Sequence, residues 1–291
     1  MRPRMPLRVG FVGLGNIGMP MAERVLGAGF ATTVHDVVRE RVATLVARGA
    51  APAASPRDCA ARSDVVGICV RDDAQVRDVV LGDDGILAGA SSGAVVAVHG
   101  TVYHDTVLVL GAAAAARGVG FVDACVTGGA AGATAGTLTT MVGGASQDVE
   151  KVRPMLDAFS KVVIPTGPLG TGTVVKLCNN MLGYLAWTAT FEALVLARAA
   201  GVPADVLEQV TRAGGHLTDA MAGFLALHAR PDAVRRAPES QARLRGFVEI
   251  AEKDLAAALA LARTHGLALP GAGLCAQIMA RVYGLDDERR R

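Results

Sequence analysis

A glycine-rich turn near the start of the chain constrains the fold more than any other feature of the sequence. The apolar run at residues 8–12 leads directly into Gly13-Leu14-Gly15-Asn16-Ile17-Gly18, and residues 19–26 then repeat apolar side chains at helical spacing. A strand, a GxGxxG turn and a helix form the first unit of a dinucleotide-binding α/β fold. We therefore expect these six residues to bind a dinucleotide: Gly13, Leu14, Gly15, Asn16, Ile17 and Gly18.

Each glycine of the motif has its own physical role. Gly13 permits the tight turn, Gly15 lets the backbone approach a pyrophosphate, and Gly18 allows the helix to pack closely on the strand. The helix N-terminus adds backbone N–H groups and the positive end of the helix dipole, both of which favour a bound anion.

The end of the second strand indicates which dinucleotide is bound. The apolar run at residues 31–34 is followed by Asp36, 18 residues after Gly18. A carboxylate at this position can accept hydrogen bonds from the adenosine ribose and would repel a 2′-phosphate, so NAD is favoured over NADP. The alternative is that Asp36 only caps the helix predicted over residues 39–47.

Strands and helices continue to alternate through the first half of the chain. Apolar runs at residues 64–70, 94–98, 120–124, 139–142 and 162–164 alternate with helical segments at 74–81, 106–117 and 148–159. This pattern predicts an N-terminal Rossmann domain with a doubly wound, mostly parallel sheet, whose ligands bind at the carboxyl ends of the strands.

One predicted strand end carries a hydroxyl group followed by two glycines. In the segment Asp123-Ala124-Cys125-Val126-Thr127-Gly128-Gly129, the glycine backbone N–H groups are unencumbered and could bind a carboxylate. An ordinary glycine turn has the same composition, and the segment alone does not separate the two interpretations.

The second half of the chain is predicted to be all-helical. Prolines and glycines between residues 165 and 172 mark a boundary, which divides the chain into a NAD-binding domain at 1–168 and a helical substrate or dimerisation domain at 169–291. Helices are expected at residues 170–201, 204–213, 217–228, 242–265 and 272–283. The arginine-rich stretch at 229–246 contains two prolines and is expected to be an exposed crossing.

The long helix at residues 170–201, which joins the two domains, carries three unusual polar side chains. Lys176 and Asn180 lie on one face and Asn179 lies close by, within an otherwise apolar run. An ammonium and two amides are costly to bury without polar partners, so we expect them to line a cleft. Alternatively, Lys176 extends to solvent and the two asparagines cap neighbouring backbone.

Composition argues against several functional classes. A net charge of +2 and only eleven aromatic residues, with no basic stripe, give no reason to expect nucleic acid binding. The longest uncharged apolar stretch has 15 residues, against the roughly 20 needed to span a membrane. Five scattered cysteines support neither a metal site nor a disulfide framework, and favour a cytoplasmic setting. Few charges and abundant alanine favour a homodimer or homotetramer.

Four motifs in this order resemble the β-hydroxyacid dehydrogenases, typified by 3-hydroxyisobutyrate dehydrogenase, within the 6-phosphogluconate dehydrogenase superfamily. They are GLGNIG, residues 123–129, Gly172 with Lys176, Asn179 and Asn180, and Lys253-Asp254. The resemblance implies an NAD(P)-dependent enzyme that interconverts a small β-hydroxyacid and its semialdehyde or ketoacid. Its substrate could be 3-hydroxyisobutyrate, glycerate or another small hydroxyacid.

The resemblance also implies roles for individual residues. Lys176 would be catalytic, and Thr127, Gly128, Gly129, Asn179 and Asn180 would bind substrate. Cofactor positions would include Val70, Arg71, Gln75, Thr101 and Lys253, with Asp254 orienting its helix rather than reacting.

The sequence departs from the family pattern at five positions that bear on substrate identity. The usual DAPVSGG segment has Cys125 in place of proline and Thr127 in place of serine, Arg71 replaces a common proline, and His99-Gly100 replaces Asp-Ser. Arg71 could pair with a second substrate carboxylate or be a surface residue. The terminal segment YGLDDERRR is shorter than the usual tail.

Two other functions remain open at this point. One is an imine reductase-like enzyme, and the other is an inactive dinucleotide-binding sensor or assembly protein. A short-chain dehydrogenase is excluded because no tyrosine has a lysine four residues later.

Overall fold

The structure, a computed structural model, describes residues 7–286. Two compact units are distinguished, one ending at Lys176 and the other beginning at Leu177. The outer ends of the two predicted domains and most of the terminal segment YGLDDERRR lie outside the described residues.

The first unit is built on a sheet with eight strands among the described residues. In chain order they are β1 (Arg8–Val12), β2 (Ala31–His35), β3 (Ala51–Pro52), β4 (Val65–Ile68), β5 (Val95–Val98), β6 (Gly120–Thr127), β7 (Leu138–Gly143) and β8 (Ser160–Gly167). The spatial order is β3-β2-β1-β4-β5-β6-β7-β8. Neighbouring strands are parallel except β6 and β7, which are antiparallel. The doubly wound, mostly parallel sheet predicted from the sequence is confirmed.

Helices cover both faces of this sheet. They are α1 (Gly18–Gly27), α2 (Arg39–Val46), α3 (Pro56–Ala61), α4 (Asp73–Leu81), α5 (Ile86–Gly89), α6 (His104–Ala115), α7 (Gly129–Ala135) and α8 (Ser146–Asp157). One buried core includes Phe11, Met21 and Phe159, and the other includes Ile68 and Leu110. The apolar runs of the central strands are explained by burial on both faces.

The second unit is helical. The long helix α9 (Thr171–Ala199) begins in the first unit and continues into the second, where it is followed by α10 (Ala204–Ala213), α11 (Asp219–Ala229), α12 (Asp232–Arg235), α13 (Pro238–Thr264) and α14 (Pro270–Tyr283). Its core contains an aromatic cluster in which Trp187 stacks on Phe224 with ring centroids 6.1 Å apart. The predicted all-helical second half is confirmed.

The stretch at residues 229–246, expected to be an exposed crossing, is mostly exposed, but most of it is helical. Helix α12 lies within this stretch, and α13 begins at Pro238. Proline is accommodated in the first helical turn, because its missing N–H would have no intrahelical partner there. Composition therefore predicted a break where the chain begins its 27-residue helix.

Within residues 7–286, no helix is both long and apolar enough to cross a membrane. No cluster of three or more His, Cys, Asp or Glu side chains in that part of the chain is arranged to hold a metal ion.

Candidate active site

The glycine-rich turn between β1 and α1 contains two glycines, Gly13 and Gly18, where the fold leaves no room for a side chain, and one, Gly15, where it does. Gly13 has a φ of +92°, and a Cβ added there would lie 2.4 Å from the carbonyl oxygen of Cys69. A Cβ added at Gly18 would lie 2.1 Å from the carbonyl oxygen of Gly13. A Cβ at Gly15 meets no described atom within 4 Å outside its chain neighbours. The missing side chain of Gly15 therefore keeps space open beside the turn, as a bound pyrophosphate requires.

Asp36 joins the glycine-rich turn to the end of β2. Its Oδ2 accepts the Leu14 backbone N–H at 2.6 Å and its Oδ1 accepts the Val38 backbone N–H at 2.8 Å. Arg41 approaches Oδ1 at 3.5 Å, and only 6% of the Asp36 side chain is exposed. Helix α2 has Val38 at its N-cap, so Asp36 lies two residues before that cap and also bonds the start of α2.

The loop after β4 places Val70 beside the same turn. A Cβ added at Gly13 would lie 2.9 Å from Val70 Cγ1. Asp72 caps α4 by accepting the Gln75 backbone N–H at 2.9 Å, and the Gln75 side-chain carbonyl accepts the Arg71 N–H at 3.1 Å. This reciprocal pair resembles a capping box and shapes the loop. The Gln75 and Arg71 side chains are exposed.

Residues after β5, within β6 and at the start of α9 meet where the sequence departs from the family pattern. His99 is buried, and its Nδ1 lies 2.9 Å from the carbonyl oxygen of Ala124. Burial lowers the pKa of His99 to about 4, so the ring is neutral at physiological pH. The Cys125 thiol lies 3.7 Å from the Gly100 carbonyl oxygen and 3.7 Å from Thr173 Oγ1. The replacements at positions 99, 100 and 125 therefore form one packed cluster. Thr101 follows this cluster and is half-buried.

The buried carboxylate of Asp123 fixes the start of α9. Its Oδ1 accepts the Gly170 N–H at 2.9 Å and its Oδ2 accepts the Thr173 N–H at 2.6 Å. Burial raises the pKa of Asp123, whereas these hydrogen bonds lower it. A Cβ at Gly172 would lie 2.5 Å from the Asp123 carbonyl oxygen, so the first turn of α9 packs directly on β6. Lys176 follows Thr173 by three residues and is only 9% exposed.

The burial of Lys176 bears on the alternative in which this side chain extends to solvent. A lysine that reaches water along an apolar surface keeps its ammonium exposed. Only 9% of Lys176 is exposed, so most of this side chain is shielded from water.

The candidate substrate segment ends β6 and begins α7. Thr127, half-buried, is the last residue of β6 and pairs with Thr139 across the antiparallel ladder. Gly128 and Gly129 have φ values of +123° and +63°, which other residues rarely adopt. A Cβ at Gly129 meets no described atom within 4 Å outside its chain neighbours. The backbone at this strand end is therefore accessible to a small anion.

Two predicted site residues of the second unit meet on one carboxylate. Asp254 is 2% exposed, and its Oδ2 accepts Asn180 Nδ2 at 2.7 Å while its Oδ1 accepts Lys253 Nζ at 2.8 Å. The Tyr184 hydroxyl also donates to Oδ2, at 3.0 Å. Asn179 Nδ2 donates to Asn180 Oδ1 at 3.3 Å.

The hydrogen bond from Tyr184 to this cluster was not predicted from the sequence. A signal existed, because Asn180 and Tyr184 are four residues apart and therefore share a face of α9. Their common acceptor is 70 residues away from Tyr184 in the sequence, which no local pattern reveals.

Comparison with protein-family models accounts for nearly the whole chain. Residues 8–167 match the NAD-binding domain of 6-phosphogluconate dehydrogenase. Residues 170–289 match the NAD-binding domain of NADP-dependent 3-hydroxyisobutyrate dehydrogenase.

Individual relatives agree with these matches. The chain is 37% identical to an NAD-dependent L-serine dehydrogenase of Pseudomonas aeruginosa, over 90% of this chain and 88% of the relative. It is 34% identical to the 3-hydroxyisobutyrate dehydrogenase of the same organism, over 96% and 93% of the two chains. A solved structure of Mycobacterium tuberculosis 3-hydroxyisobutyrate dehydrogenase with L-serine matches this chain with a TM-score of 0.82 at 28% identity. The match covers 96% of this chain and 94% of the solved chain.

The glycine-rich turn, the helix that carries a buried lysine and these matches lead to one conclusion. The chain belongs to the β-hydroxyacid dehydrogenase family of oxidoreductases that use a nicotinamide dinucleotide.

Proposed function

We propose that this protein is an NAD-dependent dehydrogenase that oxidises an alcohol β to a carboxylate, with Lys176 as its acid–base residue. The observation that carries the proposal is the buried Lys176, placed one turn beyond the start of α9 that Asp123 fixes to the sheet. A titratable amine held in an apolar helix next to a rigid anchor is suited to proton transfer at a defined position. The same residue donates the proton in the reverse reduction.

The first unit supplies most of the candidate cofactor residues. Residues 13–18 would bind the pyrophosphate, and Asp36 would lie at the adenosine ribose. Val70, Arg71, Gln75 and Thr101, with Lys253 from the helical unit, would be further cofactor-binding residues. When bound, the dinucleotide accepts a hydride from the alcohol carbon or returns it to the carbonyl.

The remaining candidate residues would orient the substrate. Backbone N–H groups at Gly128 and Gly129 and the hydroxyl of Thr127 would hold the carboxylate. Asn179 and Asn180, on the helix that carries Lys176, would contact the rest of the substrate. In this assignment residues 1–168 form the NAD-binding domain, and residues 169–291 form the substrate or dimerisation domain.

NAD is the proposed cofactor because Asp36 is a buried carboxylate at the end of β2. Its charge would repel a 2′-phosphate, although Arg41 at 3.5 Å offsets part of that repulsion. The similarity to an NAD-dependent relative supports the same choice. The test is the ratio of kcat/KM with NAD to kcat/KM with NADP, which should exceed 10. A ratio near one would contradict this assignment.

The proposed substrate is a small β-hydroxyacid, and L-serine and 3-hydroxyisobutyrate are the first two to test. Both are named in relatives of this chain. A panel that adds glycerate, 4-hydroxybutyrate and threonate is assayed by NADH absorbance. Turnover of at least one panel member supports the proposal. NAD binding without any turnover would instead identify an inactive dinucleotide-binding protein, and imine reduction without hydroxyacid oxidation would favour an imine reductase.

A homodimer or homotetramer is proposed from the surface of the helical unit. Large apolar side chains are exposed on α9 and α10, with Leu196 at 72%, Leu182 at 66% and Val210 at 66%. Such side chains favour burial against another subunit. Analytical ultracentrifugation should give a mass of two or four chains, and a monomer at micromolar concentration would refute the proposal.

A further inference from the structure

The carboxylate of Asp254 is the point at which two candidate ligand-binding side chains are held together. Asn180 on α9 and Lys253 on α13 donate to different oxygens of this one group, at 2.7 and 2.8 Å. The group is 2% exposed, so water does not compete strongly for these hydrogen bonds. Its charge is matched by the ammonium of its own chain neighbour.

An ionised carboxylate can only accept hydrogen bonds, and this fixes the orientation of the Asn180 amide. The Nδ2 group must face Asp254, because the amide oxygen would be repelled there. The amide oxygen in turn accepts Asn179 Nδ2 at 3.3 Å. One Nδ2 hydrogen is used by Asp254, so the other hydrogen sets the direction in which Asn180 can donate to a ligand.

The same carboxylate restrains Lys253. A lysine side chain has four rotatable bonds and loses much rotational freedom when its ammonium is held in one place. The Lys253 side chain is 23% exposed and already bonded to Asp254, so much of that loss precedes ligand binding. Preorganisation of this kind strengthens binding without adding a contact.

We propose that Asp254 is a positioning residue, which orients the Asn180 amide toward the substrate and the Lys253 ammonium toward the cofactor. The inference rests on the proposed function, in which Asn180 and Lys253 contact those ligands. It differs from a simpler role in which Asp254 only fastens α13 to α9.

Tyr184 provides a matched control for that simpler role. Its hydroxyl donates to the same Oδ2 atom at 3.0 Å, and it is buried on the same helix. Burial and the nearby carboxylate raise the pKa of Tyr184, so the hydroxyl keeps its proton and remains a donor. The Tyr184→Phe variant therefore removes one hydrogen bond to Asp254 without changing Asn180 or Lys253.

The first experiment is a double-mutant cycle on substrate binding. Asp254→Asn and Asn180→Ala are each expected to raise KM about 10-fold, the size of one charge-assisted hydrogen bond. If Asp254 acts through Asn180, the double variant should also have a KM about 10-fold higher than that of the unaltered protein. If the two effects were independent, they would multiply, and KM would rise about 100-fold. Tyr184→Phe should keep KM within twofold of the value for the unaltered protein. This should hold even if Tyr184→Phe lowers Tm as much as Asp254→Asn does.

The second cycle measures NAD binding by calorimetry and needs no turnover. Asp254→Asn and Lys253→Met should each raise the Kd for NAD about fivefold. The Kd of the double variant should be no higher than the higher of the two single-variant values. If Asp254→Asn does not fold, Asp254→Ser, which leaves room for a bridging water, takes its place in both cycles. Additive effects in both cycles, or equal KM effects of Asp254→Asn and Tyr184→Phe, would overturn the inference. Absence of hydroxyacid turnover in the unaltered protein would instead refute the proposed function. The double-mutant cycle on NAD binding would then still test whether Asp254 positions Lys253.

Discussion

Replacing Gly15 by alanine should separate cofactor binding from folding. The added methyl group meets no described atom within 4 Å outside its chain neighbours, and Gly15 does not have a positive φ. Alanine fits such a position without strain and restricts the unfolded chain, which stabilises a protein by about 0.4–1 kcal/mol. Gly15→Ala should therefore have an unchanged or slightly higher free energy of unfolding.

The same methyl group should impair dinucleotide binding. It would occupy the space through which the backbone approaches the pyrophosphate, and overpacking of this kind costs about 1–3 kcal/mol. A cost of about 2 kcal/mol corresponds to a Kd for NAD that is roughly 30-fold higher.

The assay combines urea denaturation with calorimetric titration of NAD. Gly27→Ala is the matched control, because Gly27 ends α1, has no positive φ and also has open space around its Cβ position. The control should bind NAD as the unaltered protein does. Unchanged NAD affinity in Gly15→Ala would refute the assignment of the turn as the cofactor site.

Two further predictions concern the buried polar groups of the first unit. Asp123→Asn should lower the free energy of unfolding by about 2–4 kcal/mol, because the amide keeps one acceptor oxygen and turns an NH2 donor toward the other backbone N–H group at the start of α9. Urea denaturation measures this loss, and a change below about 0.5 kcal/mol would contradict the anchoring role. His99 has a pKa of about 4 when folded, below its ordinary 6.5, so protonation favours the unfolded chain and stability falls as the pH drops through this window. About 2 kcal/mol should be lost between pH 8 and pH 5. His99→Gln should lose less stability over this pH range, because the contribution of His99 is absent. If the free energy of unfolding depended on pH in the same way in the variant and in the unaltered protein, this role of His99 would be excluded.

The parts of the fold that the sequence predicted are those fixed by local chemistry or by long apolar runs. The glycine-rich turn is recognisable because backbone contacts at Gly13 and Gly18 exclude any side chain. The central strands are recognisable because both faces are buried. Strand β3 and helices α3, α5 and α7 are only two to seven residues long and depend on tertiary packing, so periodicity did not reveal them.

The candidate site shows a similar division. Lys176 and Asn180 could be identified because a polar side chain in an apolar helix is conspicuous. Their surroundings could not, because the partners of Asp123 lie 47 and 50 residues away and the Asn180–Asp254 hydrogen bond spans 74 residues. Such pairings arise only when the chain has folded.

The most direct test of the account is the turnover of Lys176→Ala with the preferred hydroxyacid. Loss of an acid–base residue should reduce kcat by 10²-fold to 10⁴-fold while the NAD Kd stays within about threefold. The exposed Lys161, replaced in the same way, controls for loss of a positive charge and should keep normal turnover. A near-normal kcat in Lys176→Ala would contradict the central claim.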